Sequence, residues 1–313
     1  KALGKLTQQL MMQIKSSDLP ENLPNSVIQE QQLISRWTAL NQIHFPTDVA
    51  HFEAAVHRIK FEELFVAQVR MNLLRSQRHR YSKGIVFERV GDRFNDFYQH
   101  HLPFQLTGAQ KRVIKEIRAD LGSGRQMNRL LQGDVGSGKT MVAILIMLLA
   151  VDNGHQACLM APTEILSRQH FNTIQPLLEK VGVRVGILTG STRAAERRKL
   201  LAELQSGELS MLIGTHALIE EVVQFKNLGL AIIDEQHRFG VAQRAQLQKK
   251  GIQPPHVLVM TATPIPRTLA MTAYGDLDYS VIDEMPPGRQ PVKTVHRHET
   301  RRAQVMEFIR TEI

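Results

Sequence analysis

A glycine-rich run near the middle of the chain carries the most specific chemical signal in the sequence. It fits the pattern G-x-x-x-x-G-K-[ST], in which backbone N–H groups curl around a phosphate. The apolar pair Leu130–Leu131 precedes it and the apolar segment Met141–Ala150 follows it, which is the strand–loop–helix context that such a loop requires. The run consists of Gly133, Asp134, Val135, Gly136, Ser137, Gly138, Lys139 and Thr140.

The chemistry of this loop is that of a nucleoside triphosphate site. The helix after the loop points its positive N-terminal end at the phosphates, and Lys139 is expected to reach the β- and γ-phosphates of ATP. The Thr140 hydroxyl is the expected ligand of Mg²⁺. The alternative is a glycine-rich turn with an incidental lysine, and the complete motif in its context favours the phosphate site.

A second acidic group is needed to hold the metal ion, and the sequence supplies one at the end of another apolar run. Leu230–Ile233 is followed directly by Asp234 and Glu235. We expect Asp234 to hold Mg²⁺ through water and Glu235 to polarise the attacking water as a general base. The alternative is a pair of acids at a helix N-terminus, where negative charge is also favourable.

Two kinds of sequence meet near residue 102, and together they predict the architecture. Residues 1–102 are mostly helical and polar, with apolar residues at helical spacing over Phe52–Leu74. From residue 103, apolar runs alternate with helical segments, which predicts an α/β fold, a RecA-like lobe with a mainly parallel sheet. The predicted strands are 129–132, 157–161, 183–189, 211–214, 230–234 and 257–261. The predicted helices are 107–121, 138–153, 164–180, 192–206, 239–249 and 264–274.

Composition narrows the classes of partner. The 39 lysines and arginines outnumber the 30 acidic residues by nine, a surplus that suits nucleic acid or simply a soluble basic protein. A basic stretch follows the long helical segment, and it fits either phosphate contacts or a solvated helix end. The single cysteine, Cys158, cannot form an internal disulfide, which indicates a reducing compartment. It lies in an apolar run and is expected in the core. No apolar stretch is long enough for a membrane span, and no signal peptide is visible. The basic stretch contains Arg75, Arg78, Arg80 and Lys83.

Four further motifs occur in an order that resembles superfamily 2 helicases. They surround the phosphate loop and the acidic pair, and the second motif continues from Asp234-Glu235 into Gln236-His237. The resemblance covers the chain densely over about 104–290 and more weakly over 1–103. The other matching runs are Phe104–Gln110 at the entry to the motor, Ala161–His170, Gly214–His216 and Thr261–Thr268.

Within that superfamily the chain resembles the RecG family of bacterial branched-DNA translocases. The resemblance rests on Asp234–Arg244, on Tyr274–Asp278 and on Pro286–Arg289. The transcription–repair coupling translocases share the Thr-Ala-Thr-Pro-Ile-Pro-Arg-Thr run, but they usually have Glu at the position of Gln236. The chain is therefore expected to belong to an ATP-dependent helicase that remodels stalled forks and Holliday junctions, with the coupling translocase as the alternative.

The resemblance implies roles for individual residues. Gln110 would read the adenine, with a plain helix-surface glutamine as the alternative. Gln236 and His237 would link the γ-phosphate to the rest of the motor. Thr261 and Thr263 would relay between ATP and DNA, or else cap the next helix as strand-end hydroxyls. The residues implied along the DNA track and in the coupling are Thr163, Arg168, Thr215, Thr261, Thr263 and Arg267.

The resemblance also divides the chain. Residues 1–102 would be a helical linker with the tail of a wedge domain, 103–285 the ATP-binding first lobe, and 286–313 a linker and the start of a second lobe. The arginine finger would belong to that second lobe, since no arginine in 103–283 identifies itself as one. The chain alone would then bind nucleotide with little turnover. The expected partner is branched DNA, the expected state a monomer, and the expected location the bacterial cytoplasm near the nucleoid.

Overall fold

The computed structural model describes residues 2–81, 83–235, 246–247, 249–263, 277–285 and 294–312. The chain alternates helices and strands after a helical N-terminal region. The helices are α1 (Ala2–Gln13), α2 (Asn25–Glu30), α3 (Arg36–His44), α4 (Val49–Tyr81), α5 (Asp92–Asp96), α6 (Gly108–Leu121), α7 (Lys139–Asp152), α8 (Glu164–Leu178), α9 (Ala194–Ser206) and α10 (Arg302–Glu312). The strands are β1 (Asn128–Gly133), β2 (Gln156–Met160), β3 (Val185–Leu188), β4 (Met211–Gly214), β5 (Leu228–Asp234), β6 (His256–Thr261) and β7 (Asp278–Ile282).

The strands form one sheet in the order β3-β4-β2-β5-β6-β1-β7, and every neighbouring pair is parallel. The predicted α/β class with a parallel sheet is therefore confirmed. The six strands predicted between residues 129 and 261 are all present, and β7 is an additional edge strand beside β1 that the sequence did not predict. The sequence also has a strand-like run at 292–296, but 294–298 have no regular structure, and 292 and 293 lie outside the described residues.

The sheet is buried on both faces because helices cover both sides. Neighbouring residues of one strand therefore enter different cores: Leu131 packs with α6 and α7, whereas Leu130 packs on the opposite face with Cys158. The prediction that Cys158 lies in the core is confirmed, and burial raises the pKa of its thiol to about 12. α7 is apolar all round because it is enclosed by the core.

The helical region before residue 103 is joined to the sheet by an extended segment. Gly84 N donates to Gly124 O over 2.9 Å, and Phe87 N donates to Leu121 O over 3.0 Å. Phe87 and Phe97 belong to the same buried core as α6 and α7. The core of the α/β lobe thus begins upstream of the predicted boundary at 102. α3 packs on α4, where Arg58 is fully buried and paired with Glu62 over 2.6 Å.

Parallel strands end at a common edge, and in open α/β sheets ligands bind outside the carboxyl ends of the strands. Gly133 ends β1, Thr261 ends β6 and Asp234 ends β5, and these strands are adjacent in the order β5-β6-β1. Ala161 and Thr215 follow the ends of β2 and β4. The fold therefore brings the separate motifs of the sequence to one edge.

Several predicted features lie outside the described residues. They include the predicted helices 264–274 and, for the most part, 239–249, and the linker Pro286–Gly288. The side chains of Arg75, Arg78 and Arg80 are also outside the described set, so the two interpretations of the basic stretch stay open. Among the helices that the structure does describe, none combines the length and the apolar character needed to cross a bilayer.

Candidate nucleotide-binding site

The loop between β1 and α7 has the backbone of a phosphate cradle. Gly136 and Gly138 have φ values of 79° and 86°, which side-chain-bearing residues rarely adopt. The Lys139 ammonium folds back over the loop and donates to Gly133 O over 2.6 Å and to Asp134 O over 3.1 Å. The lysine predicted to contact phosphate therefore lies directly over the concave side of the loop.

The loop is supported from behind by a buried glutamine. Gln110 Nε2 donates to the carbonyl of Ser137 over 2.8 Å, and Gln110 Oε1 accepts from Thr107 N over 2.9 Å. A Cβ on Gly138 would lie 2.2 Å from Gln110 Nε2, so a side chain at Gly138 has no room. The expectation of a plain helix-surface glutamine is wrong, because Gln110 is fully buried. Both ends of its amide are used in holding the loop and capping α6, so these contacts give no support to an adenine-reading role.

Gly133 is a further position where the loop has no room for a side chain. A Cβ there would lie 2.4 Å from Ser137 Oγ and 3.2 Å from Ile282 Cβ. In the described part of the chain, Ser137 Oγ is one of two buried side-chain polar atoms without a hydrogen-bond partner. A glycine-lined turn, an inward-facing hydroxyl and a lysine above it form a donor set that fits the oxygen atoms of a phosphate chain.

Asp234 lies at the carboxyl end of β5, where its backbone is paired with Met260 of β6. Its carboxylate Oδ2 is 2.7 Å from His170 Nε2 on α8. An ionised carboxylate can only accept, so Nε2 must be the donor. The predicted metal carboxylate is therefore held by a histidine from the helix that follows β2. The sequence did not assign a role to His170, although its spacing with Ser167 and Ile174 on the buried face of α8 places it inward.

Glu235 has a left-handed backbone with φ of 50°, uncommon for a residue with a side chain. The chain turns sharply here, and Glu235 N donates to Met260 O over 2.9 Å. Its carboxylate accepts from Ala262 N at 3.2 Å and from Thr261 Oγ1 at 3.3 Å. Such backbone strain persists where surrounding contacts hold it and is concentrated at functional sites. Here it aims the predicted general base at the end of β6.

Thr261, the last residue of β6, and Thr263 are connected to this carboxylate. The Thr261 hydroxyl donates to Glu235 and accepts from Thr263 N over 3.1 Å. Thr261 thus joins the acidic pair to the start of the next segment, which fits the implied relay. The alternative, in which these hydroxyls cap the next helix, concerns residues from 264 onward, which lie outside the described set.

Charge at the site is balanced around Lys139. Burial lowers the pKa of Lys139, and the carboxylates of Asp234, Glu235 and Asp134 oppose that shift by raising it. The ammonium and the acidic pair therefore act on each other across the end of β6. One cation facing two strand-end acids fits a metal–phosphate complex, with Thr140 and Asp234 as the residues able to hold the metal.

The residues implied along a DNA track lie farther along the same edge. Thr163 caps α8 by accepting from Leu166 N at 3.3 Å, and Thr215 accepts from Ala217 N at 3.5 Å. Arg168 is exposed, and its guanidinium is bound to Glu164 over 2.8 Å and to Ser191 over 3.0 Å. The hydroxyls of Thr163 and Thr215 thus bind nearby backbone N–H groups in this structure. The Arg168 guanidinium, by contrast, is accessible to solvent.

Three predicted site residues, Gln236, His237 and Arg267, lie outside the described residues. One residue that the sequence did not point out is Glu284, just after β7. Its Oε2 accepts from Ala109 N over 3.0 Å at the first turn of α6, next to Gln110. No motif in the sequence marks this contact, because it joins positions at opposite ends of the lobe.

A family model described as "DEAD/DEAH box helicase" matches residues 107–272, more than half of the chain. The chain belongs to the DEAD/DEAH box helicase family. The matched residues include the phosphate loop, the acidic pair, Thr261 and Thr263. The expectation of a superfamily 2 helicase from these motifs is confirmed.

Relatives within the family match almost the whole chain. An ATP-dependent DNA helicase RecG of Streptococcus pneumoniae is 48% identical over 94% of this chain and 43% of its own length. The RecG of Thermotoga maritima is 44% identical over 98% of this chain and 40% of its own length. A solved structure of RecG bound to a three-way DNA junction superposes with a TM-score of 0.79 at 44% identity, covering 93% of this chain and 39% of that chain.

The resemblance to RecG expected from the sequence is thereby confirmed. The chain spans less than half the length of these RecG relatives. The similarity includes the N-terminal helical region, because each alignment covers more than nine-tenths of the chain.

Proposed function

We propose that this chain is the ATP-binding first motor lobe of an ATP-dependent DNA helicase that remodels branched DNA. The observation that carries the proposal is the meeting of the phosphate loop, Asp234-Glu235 and Thr261 at the carboxyl edge of one sheet. The similarity to RecG proteins, one of them solved on a three-way junction, supports branched DNA as the substrate.

In this proposal the loop binds ATP through its own backbone and side chains. Lys139 leaves the carbonyls of Gly133 and Asp134 and contacts the β- and γ-phosphates, while Gln110 keeps the loop in shape from behind. Thr140 and Asp234 hold Mg²⁺, which neutralises phosphate charge when bound. The loop residues Gly133 to Thr140 all contribute to this site, with the glycines admitting the phosphates to the backbone.

Glu235 is the proposed general base. Its two carboxylate oxygens accept from Thr261 Oγ1 and Ala262 N, and these contacts orient the base. Because both orienting groups come from the end of β6, any movement of that strand end would move the base. Thr261 and Thr263 would in this way make hydrolysis sensitive to events elsewhere in the motor.

The same edge is proposed to contact DNA. Thr163, Arg168 and Thr215 would bind the phosphate backbone, which fixes position and carries no sequence information. Arg168 would exchange its contact with Glu164 for a DNA phosphate. From the resemblance, Gln236 and His237 would bind near the γ-phosphate and Arg267 would take part in coupling ATP to DNA.

The proposed division of the chain follows the resemblance: 1–102, 103–285 and 286–313. The packing of Phe87 and Phe97 into the lobe core favours a first boundary closer to residue 82. We further propose that the full-length protein works as a monomer on forks and Holliday junctions, in the bacterial cytoplasm near the nucleoid. The transcription–repair coupling translocase is the less favoured alternative, since the matched relatives named above are RecG proteins.

The decisive experiment measures ATP hydrolysis by the full-length protein on linear, forked and four-way DNA of equal length. Preferential stimulation by the branched substrates is expected, and equal stimulation by linear duplex would contradict the proposal. A wild-type protein activated only in the presence of a stalled RNA polymerase would select the coupling translocase instead.

The isolated chain should behave as a nucleotide-binding module. We expect weak binding of ATP–Mg²⁺ by calorimetry and very slow hydrolysis with little response to forked DNA. Fast DNA-stimulated turnover by the isolated chain would show that this lobe needs no second one to complete the catalytic site.

A further inference from the structure

His170 contacts the carboxylate of Asp234, although the motifs that define the proposed metal site assign this histidine no role. It lies on α8, at helical spacing from the buried residues Ser167, Ile174 and Leu178. β2, which leads into α8, is adjacent to β5 in the sheet. The imidazole therefore faces the carboxyl end of β5, and its Nε2 meets Asp234 Oδ2 at 2.7 Å.

The backbone at Asp234 is fixed, but its side chain needs a separate constraint. Pairing with β6 and the Glu235–Met260 hydrogen bond hold the main chain on either side of the carboxylate. Neither contact determines the side-chain torsion of Asp234. The hydrogen bond from His170 does, because it fixes one carboxylate oxygen and thereby the direction of the other.

The pair of His170 and Asp234 differs from an ion pair in a protein core because neither side chain is fully buried. The side chains of His170 and Asp234 are 14% and 12% exposed, so both are largely enclosed but keep some accessible surface. Asp234 also raises the pKa of Lys139, which places its charge within reach of the phosphate loop. The histidine thus orients a carboxylate that faces the nucleotide side of the sheet edge.

We propose that His170 is a positioning residue that holds Asp234 in the orientation needed to bind the metal of the nucleotide complex. The proposal rests on the proposed function of Asp234 and adds a residue from α8 to that site. Partners that orient a metal-binding carboxylate contribute typically 10- to 100-fold to metal affinity. The effect of removing the imidazole should therefore fall on metal-dependent nucleotide binding and spare metal-free binding.

The test uses the full-length protein with His170→Leu and His170→Gln. Leucine removes the donor at similar volume, whereas the glutamine amide keeps a nitrogen donor at a comparable reach. Asn172→Ala, an exposed change on the same helix, is the matched control. Binding of a fluorescent ATP analogue is titrated first in EDTA and then against increasing Mg²⁺, with thermal unfolding measured for each variant.

The expected result is specific to the metal. His170→Leu should bind the analogue as the wild type does in EDTA, but need about 10-fold more Mg²⁺ for half-maximal enhancement. His170→Gln should recover most of the loss, and Asn172→Ala should match the wild type. In an Asp234→Asn background, His170→Leu should add little, because the two residues act as a unit.

Different outcomes separate this inference from the proposed function. A His170→Leu variant that titrates with Mg²⁺ like the wild type would overturn the inference and leave the proposed function intact. Equal losses with and without Mg²⁺, or a glutamine variant as impaired as the leucine one, would also overturn it, because the hydrogen bond to Asp234 would not be the cause. A wild-type protein whose nucleotide binding ignores Mg²⁺ would count against the metal role of Asp234 itself.

Discussion

Gln110 Nε2 and the carbonyl oxygen of Ser137 are joined by a hydrogen bond of 2.8 Å, so the phosphate loop is held by a side chain from α6. The same amide caps its own helix through Thr107 N. The loop and the first turn of α6 therefore form one connected unit, and the shape of the loop depends on a residue outside its motif.

Replacement of Gln110 by alanine should lower both the stability of the fold and the affinity for ATP. The change removes this partner from Ser137 O, which is buried, and from Thr107 N, which is half-buried. A buried group left unsatisfied costs about 1–3 kcal/mol. Urea denaturation should show the loss, and ATP affinity measured by calorimetry should fall. Gln175→Ala, on the exposed side of α8, is the control expected to change neither. An unchanged nucleotide affinity would show that the loop keeps its shape without Gln110.

Gly138→Ala should abolish nucleotide binding. The new Cβ would lie 2.2 Å from Gln110 Nε2 and would require a φ of 86°. Shortening Gln110 to alanine in the same protein removes the clash but leaves the backbone strain. The double variant should therefore recover part of the binding lost in Gly138→Ala, measured with a fluorescent ATP analogue. No recovery at all would show that relief of the clash does not outweigh the backbone strain and the loss of the Gln110 support.

Glu235→Gln in the full-length protein should stop hydrolysis while sparing ATP binding. The amide keeps the size of the side chain but removes the base, and general-base catalysis contributes typically 10²- to 10⁴-fold. DNA-stimulated phosphate release and ATP affinity are the two measurements. Glu208→Gln, on the loop before β4, is the matched control. Normal turnover in Glu235→Gln would remove this residue from its proposed role.

Stability should fall as the pH decreases because of His256. This buried imidazole donates from Nε2 to Ile85 O and accepts at Nδ1 from Met127 N, so the neutral form fits the site. Burial lowers its pKa to about 4 from 6.5. The folded state therefore gains stability above pH 6.5 and loses about 3 kcal/mol as the pH falls from 6.5 to 4.

Urea denaturation at several pH values measures this effect on the isolated chain. His256→Asn should lower stability at pH 7 yet reduce the slope of stability against pH between pH 6.5 and 4, because this buried imidazole no longer titrates. Part of the slope should persist, because burial also lowers the pKa of His155. An unaltered slope in the variant would attribute the acid sensitivity to other residues.

Arg168→Ala should weaken binding of the full-length protein to DNA about equally for all sequences. A lost phosphate contact also reduces the slope of log affinity against log salt by about one. Arg184→Ala is the control, because Arg184 is likewise exposed and paired with an acid, Glu203, but precedes β3 at the opposite edge of the sheet. Filter binding over a salt series distinguishes the two. Equal effects of both changes would indicate general electrostatics.

The strands of the sheet interior could be predicted from sequence because burial on both faces makes them continuous apolar runs. β5 is buried along its whole length and was predicted nearly in full. β7 was missed because it is an edge strand in which polar residues such as Asp278 and Ser280 interrupt the apolar pattern. A strand that pairs with a neighbour on one side only is less completely buried, so fewer of its side chains need to be apolar.

The candidate site was predictable to the extent that neighbouring residues define it. The phosphate loop and Asp234-Glu235 are local motifs, so their spacing is visible in the sequence. The bonds from Gln110 to Ser137 and from His170 to Asp234 join residues 27 and 64 positions apart. Only the fold brings these partners together, and no spacing rule marks them in advance.

The hydrogen bond from Ala109 N to Glu284 gives the lobe a mechanical property. Glu284 follows β7 closely and contacts the first turn of α6, beside the glutamine that holds the phosphate loop. A displacement of the segment that follows β7 would therefore act on α6 and, through Gln110, on the loop, in addition to its effect on the sheet. Tension on this segment and phosphate binding can in this way affect each other.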